Sequence, residues 1–174
     1  YSAMCSGAWP YPLMQRQLAK IMVWAEQARS VAFQTAAALQ RADAGDDEAR
    51  RLLRVLTPLL KFRACRDARK VTGDAMEVRG GCGYIEEWSD ARLVRDAHLG
   101  SIWEGTSNIV ALDVIRSIRR EDSLAALEQH MARQIEQAAL PPALQACFQR
   151  ARERASALAI AATSRENEIL ARQA

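Results

Sequence analysis

Three features of this sequence predict an all-α fold of the up-and-down bundle type. Of its 174 residues only 8 are Gly and 5 are Pro, too little turn material for a β-sandwich. Ala, Leu, Arg, Gln and Glu, all good helix formers, dominate the remainder. Two long stretches carry apolar or small side chains at alternating three- and four-residue steps, the period of a helix with one face against a core.

The first stretch runs from 12 to about 41, with Leu18, Ile21, Ala25, Ala28, Ala32 and Leu39 along one stripe. It stops in ADAGDD, residues 42–47, where Gly45 offers a C-terminal stop and Asp46 or Asp47 a cap for the next helix. So short a loop makes the two helices antiparallel neighbours. The second runs from about 47 to 78, with Leu53, Leu56, Leu60, Ala64, Ala68, Val71, Ala75 and Val78 on one face. Pro58 interrupts it after Thr57, which predicts either a kink or a fresh helix start. Further helices are expected over about 107–120 and 122–139, and, after the breakers Pro141 and Pro142, over about 143–172. The apolar stripe of this tail is thinner, which predicts weaker docking. No repeat, low-complexity tract or linker is seen.

The net charge is +3, from 21 Arg and 3 Lys against 21 acidic residues of interspersed sign. That balance argues against bulk attraction to nucleic acid or acidic membranes. Cys5, Cys65, Cys82 and Cys147 show no CxxC spacing, and only His98 and His130 could join them, so no metal site is expected. No apolar run approaches the ~18 residues of a membrane span and no export signal is visible, so a cytoplasmic protein with reduced thiols is expected.

Residues 80–109, GGCGYIEEWSDARLVRDAHLGSIWEGTSNI, break the helical pattern. Gly80, Gly81 and Gly83 directly follow a helix, which leaves two readings: a tight turn, or a place where backbone must approach a cofactor or another chain. A helix rather than a strand precedes them, so they are not a dinucleotide fingerprint. Glu104 stands just before the next helix, between Ile102-Trp103 and Gly105. It reads either as a residue favoured by the helix dipole or as a partly desolvated carboxylate suited to accept a proton near neutral pH. The amides of the following helix start, with Thr106 and Asn108 beside them, could receive an anionic or carbonyl oxygen. Arg92, Arg95 and Asp96 are expected to form ion pairs, Glu86 and Glu87 to be solvated, and Trp88 to be a packing residue.

The ordered strings GGCGY, DARLVRDA and IWEGTSNI resemble the C-terminal signature of the acyl-CoA dehydrogenase family: a GGxGY-type turn, an RDA-like segment and an EGT segment. The likeness covers about residues 11–120. The wording EVRGGCGYIEE and SIWEGTSNIVALDVIR is particularly similar to the family's AidB-like branch. The resemblance implies a C-terminal helical bundle over 1–120 that lacks the family's first bundle helix, and a helical extension over 121–174 packed on the same domain. It implies α,β-dehydrogenation of an acyl-CoA thioester by an FAD enzyme, with Glu104 as the base that removes the α-proton while the β-hydrogen leaves as hydride. The Glu104 N–H would help polarise the thioester carbonyl. Gly105 and Trp103 would border the substrate, Thr106 and Asn108 would meet the FAD, and the backbone of Glu77, Val78, Gly80 and Gly81 would meet the FAD of a neighbouring subunit. Many members carry Gln where Glu77 stands, and Asn108 replaces a common Glu or Gln.

The family's N-terminal helical and middle β-domains have no counterpart here. The chain is therefore expected to be a piece of a longer enzyme or a degenerate relative, inactive in isolation and without tight FAD binding. A homo-oligomer, dimer or tetramer, is expected. Two alternatives remain open: an AidB-like flavoprotein domain whose Arg150, Arg152, Arg154 and Arg165 contact nucleic acid, and a non-catalytic helical oligomerisation module.

Overall fold

The computed structural model describes residues 11–164. Among them there are seven α-helices and no strand: α1 (Pro12–Asp43), α2 (Asp47–Val78), α3 (Gly81–Tyr84), α4 (Asp90–Gly100), α5 (Ser107–Glu121), α6 (Ser123–Gln137) and α7 (Pro142–Ala162). No helix among the described residues is long and apolar enough to cross a membrane. Cys5, Arg165 and the end of the last expected helix lie outside the described residues.

The turn between α1 and α2 follows the expectation in atomic detail. Gly45 takes φ +94°, and the Asp46 and Gly45 amides donate to Arg41 and Ala42 carbonyls, which closes α1 in a Schellman motif. Asp46, not Asp47, caps α2 by accepting the Ala49 N–H at 2.9 Å. That amide, and then the Arg41 guanidinium, hold the Asp46 carboxyl below its ordinary pKa. Pro58 neither ends nor restarts the helix, because α2 continues through it. Thr57 faces backwards, its Oγ1 donating to the Leu53 carbonyl at 2.9 Å instead of capping a new helix.

The chain forms two compact units. The first comprises residues 11–32 and 61–106, so it holds the N-terminal part of α1, the C-terminal part of α2, α3 and α4. Here polar links recur. Lys20 and Lys70 approach Asp74, and Arg79 pairs with Asp90 at 3.1 Å, while the Arg63 and Arg79 guanidinia lie over the Trp24 and Trp88 rings. Asp67 is buried, which pushes its carboxyl pKa up against the opposing pull of Arg63 at 3.1 Å. Among its described residues Ala91 is the one buried hydrophobic side chain.

The second unit, residues 33–60 and 107–164, holds the main core. Ala38 of α1, Leu52 and Leu56 of α2 and Ala126 of α6 are buried in one cluster, with Leu53 and Leu127 against it. Val110, Ala111 and Ile115 of α5 and Ala159 and Ala162 of α7 are also buried. The tail is buried at few points, mostly small residues, while Leu144, Phe148 and Ile160 of α7 are exposed. Its contacts use small side chains that let backbones approach closely, and a stripe of alanines scores as thin on hydrophobicity alone. Ser117 and Ser123 share a buried hydrogen bond at 3.0 Å across the α5–α6 turn. Arg54 spans α2 to α5 with a two-pronged bond to Asp113 and a third N–H to Glu121 at 2.9 Å. This bonding holds the Asp113 carboxyl below its ordinary pKa.

The α1 stripe follows expectation at Leu18, Ile21 and Ala28, which are half-buried, and departs from it at three positions. Ala25, Ala32 and Leu39 are exposed, whereas Trp24, Ala28 and Val31 are half-buried and Ala38 and Ala42 are buried. At those three positions the buried face has moved back by one residue.

Candidate functional site

Residues 80–109 are less irregular than their composition predicts, because α4 forms inside them. Ala91 is buried and Val94 and Ala97 half-buried, an i, i+3, i+6 face that the surrounding charges hide. Asp90 in its first turn suits the helix dipole. Arg92 pairs with Asp96 at 3.5 Å within α4, and Arg95 reaches back to grip both Glu86 oxygens at 2.6 and 3.0 Å. Glu86 is therefore exposed but ion-paired, and Arg95 holds its carboxyl below the ordinary pKa. His98 bonds the Val94 carbonyl at 2.8 Å through Nδ1.

The three glycines have three different reasons. Gly80 takes φ +60° and ψ −141°, a conformation that side chains disfavour. Gly83 is buried, and a Cβ there would stand 2.3 Å from the Met76 carbonyl oxygen, so this glycine lets α3 lie on the end of α2. Gly81 has ordinary φ and open space where its Cβ would project. Beside this bend an apolar groove of about 560 Å³ runs between Met76, Tyr84, Ile85, Ala91 and Val94, with Glu86 and Arg95 in its wall.

The turn between α4 and α5 is built with unusual backbone. The Ser101, Ile102 and Trp103 amides fold back onto His98 and Leu99 carbonyls. Lys61, half-buried on α2, donates from Nζ to the Gly100 carbonyl at 2.7 Å and the Trp103 carbonyl at 3.0 Å. Glu104 then takes φ +54° and Gly105 φ +113°. A left-handed residue with a Cβ costs about 1–2 kcal/mol, and Glu104 shares that conformation with Asp122 at φ +50° and Ala139 at φ +46° in the two turns that follow. Glu104 and Trp103 are exposed, and so is Ile102, which corrects the expectation that the carboxylate is desolvated by its own neighbours.

The expected site residues form two clusters. Glu77, Val78, Gly80 and Gly81 lie at the end of α2 and in the bend, near the N-terminal end of α4 where Arg79 meets Asp90. Trp103, Glu104, Gly105 and Thr106 follow its C-terminal end, and Asn108 is the second residue of α5. The 11 residues of α4 put about 15 Å between its ends, so bend and carboxylate are separate features of the surface. Among the arginines considered for phosphate, Arg150 and Arg154 are exposed, but the Arg152 Nε is buried without a partner. At about 100° per residue Arg152 cannot share the face of Arg150 and Arg154. Lys61 gave no sign of itself in the sequence, since main-chain carbonyl acceptors leave no residue pattern. Among the described residues no group of three or more His, Cys, Asp or Glu could hold a metal ion.

Residues 8–119 match the family described as "Acyl-CoA dehydrogenase, C-terminal domain". The chain is 36% identical to AidB of Escherichia coli (strain K12) over 110 residues, 63% of this chain and 20% of that protein. Its structure is similar to that of Caenorhabditis elegans ACDH-11 in complex with C11-CoA, with TM-score 0.66 and 35% identity, covering 73% of this chain and 21% of that one. The apo form of Bd2924 covers more, 94% of this chain and 32% of that one, at TM-score 0.69 and 28% identity. The chain therefore spans about a fifth to a third of the length of these relatives. With its helical architecture, its EGT turn and its glycine bend, the chain belongs to the acyl-CoA dehydrogenase family, residues 8–119 being its match to that family's C-terminal domain.

Proposed function

We propose that this chain is the C-terminal helical part of an FAD-dependent acyl-CoA dehydrogenase in which Glu104 is the catalytic base. The observation that carries this reading is the strained backbone at Glu104, φ +54°, followed by Gly105 at φ +113°, directly before α5. The α5–α6 and α6–α7 turns also hold one left-handed residue each, Asp122 at φ +50° and Ala139 at φ +46°; Glu104 differs in being followed directly by a left-handed glycine and in standing in the EGT segment that the family match covers. The family membership and the relative crystallised with C11-CoA support an acyl-CoA thioester as the substrate class.

The Glu104 carboxylate takes the α-proton of the thioester, and its N–H donates to the thioester carbonyl as negative charge develops there. A bound FAD would supply the acceptor for the β-hydrogen as hydride, the oxidant for the two electrons and two hydrogens that the acyl chain gives up. Gly105 leaves room for the thioester and Trp103 borders the acyl chain. Because Glu104 is exposed in this chain, the dry surroundings that favour proton abstraction come from substrate, cofactor and the rest of the enzyme.

The residues present fit FAD. Gly80 and Gly81 are exposed with open space at their Cβ positions, so bare backbone is accessible to a flat ligand. Thr106 and Asn108 sit at the start of α5, the end of a helix whose dipole favours phosphate. The distance between the clusters supports a homo-oligomer: the Glu104 end serves one FAD, and Glu77, Val78, Gly80 and Gly81 serve the FAD of a neighbouring subunit. Replacing Glu104→Gln in the flavoprotein that carries this chain is expected to abolish exchange of the substrate α-proton with solvent while flavin stays bound. Exchange at the normal rate would mean another base.

A further inference from the structure

We infer that Lys61 is a positioning residue for the reaction, because its grip on the Trp103 carbonyl aims the Glu104 N–H that meets the thioester oxygen. The inference rests on the proposed role of Glu104. An ammonium group at the end of α4 could act as an ordinary C-terminal cap, and its bond to the Gly100 carbonyl at 2.7 Å does that. Its second bond, at 3.0 Å, passes beyond the helix to the Trp103 carbonyl. That carbonyl shares a planar peptide unit with the Glu104 nitrogen.

No peptide bond of the described chain is cis, so the C=O and N–H of this unit point in opposite directions. Holding the Trp103 oxygen toward Lys61 turns the Glu104 N–H away from α2. The same bond fixes one side of the residue with φ +54°, and Gly105 at φ +113° supplies the freedom on the other. A lysine fits this task better than an arginine, since its three donors rotate about one nitrogen and can reach two carbonyls set at an angle.

Two measurements test the role. In the 174-residue chain, Lys61→Met should speed amide hydrogen exchange at Ile102 and Trp103 by about tenfold or more, with α5 amides unchanged. In the flavin-loaded protein that carries the chain, the same substitution should lower kcat for dehydrogenation about 100-fold, with KM altered less than about threefold. Lys61→Arg should recover part of this loss. With C11-CoA labelled with ¹³C at its carbonyl and bound to a Glu104→Gln host, adding Lys61→Met should move the carbonyl infrared frequency back toward its value in water.

Unchanged exchange at Ile102 and Trp103 overturns the inference, as does a normal kcat in Lys61→Met where Glu104→Gln is inactive. If Lys61→Met does not fold, Lys61→Gln, with an N–H donor on a shorter stem, must show an intermediate loss by the same measures. Wild-type behaviour of that variant overturns the inference too. Failure of the base assignment is a distinguishable result, because the Glu104→Gln protein would then keep α-proton exchange whatever Lys61 does.

Discussion

The two compact units differ in what holds them. In the second, α1, α2, α5, α6 and α7 bury Ala38, Leu52, Val55, Leu56, Val110, Ala111, Ile115, Ala126, Ala159 and Ala162. In the first, Ala91 is the one buried hydrophobic among the described residues, while Tyr84, Trp88, Leu93, Leu99, Ile102 and Trp103 are exposed. Ion pairs link both units alike, Arg79 with Asp90 in the first and Arg54 with Asp113 in the second, so the difference lies in buried apolar side chains. The unit without a core of its own carries the glycine bend and Glu104. Under the proposed function, cofactor, substrate and neighbouring subunits would cover that apolar surface.

The sharpest way to break this contrast is to truncate one leucine in each unit. Leu52 is 2% exposed, and Leu52→Ala is expected to cost about 3 kcal/mol, whereas Leu93→Ala, at a half-exposed position, should stay within about 0.5 kcal/mol. Urea midpoints followed by far-UV circular dichroism decide it; equal shifts would mean the first unit has an interior after all.

Next in size, the first unit should depend on backbone fit where it lacks burial. Gly83→Ala places a methyl group 2.3 Å from the Met76 carbonyl and should cost about 2 kcal/mol, while Gly81→Ala meets open space and should cost under about 0.5 kcal/mol. Trp88 fluorescence during unfolding reports on this bend. A costly Gly81→Ala would point to a structural need there and weaken its assignment to a cofactor.

The smallest effect sharpens the description of the second unit through pH. His130 hydrogen-bonds Gln34 at 2.8 Å, and burial, aided by Arg133 and Arg41, lowers its pKa below 6.5. The unfolded chain therefore binds the proton more readily than the folded one. Stability is complete above the unfolded value and declines as pH falls through 6.5 toward the lower folded value. Urea midpoints at pH 7.5 and 5.5 should show this decline, and His130→Asn should remove it; an unchanged decline would assign it to other groups.

What was legible in the sequence follows the same division. α1 and α2 were readable because long stripes and the Gly45–Asp46 stop repeat one message at several levels. The tail's buried positions, Ser123, Ala126, Ser156, Ala159 and Ala162, carry little hydrophobic signal, and the larger Leu144, Phe148 and Ile160 are exposed. α4 was hidden by the arginines and carboxylates on its exposed side, although Ala91, Val94 and Ala97 held its period. Glu104 was singled out by the resemblance of its motif, but its left-handed backbone was not legible, because a glutamate does not advertise that conformation. The exposure of the carboxylate was also missed: Ile102 and Trp103 precede it in sequence without covering it.

The bare apolar side chains beside α4 have one more consequence, for anyone who engineers the chain. Charged replacements at Leu93, Leu99 or Ile102 would look harmless in a folding screen and would even discourage aggregation. Tolerance measured on the separated chain is thus a poor guide to which of these positions a working flavoprotein can surrender.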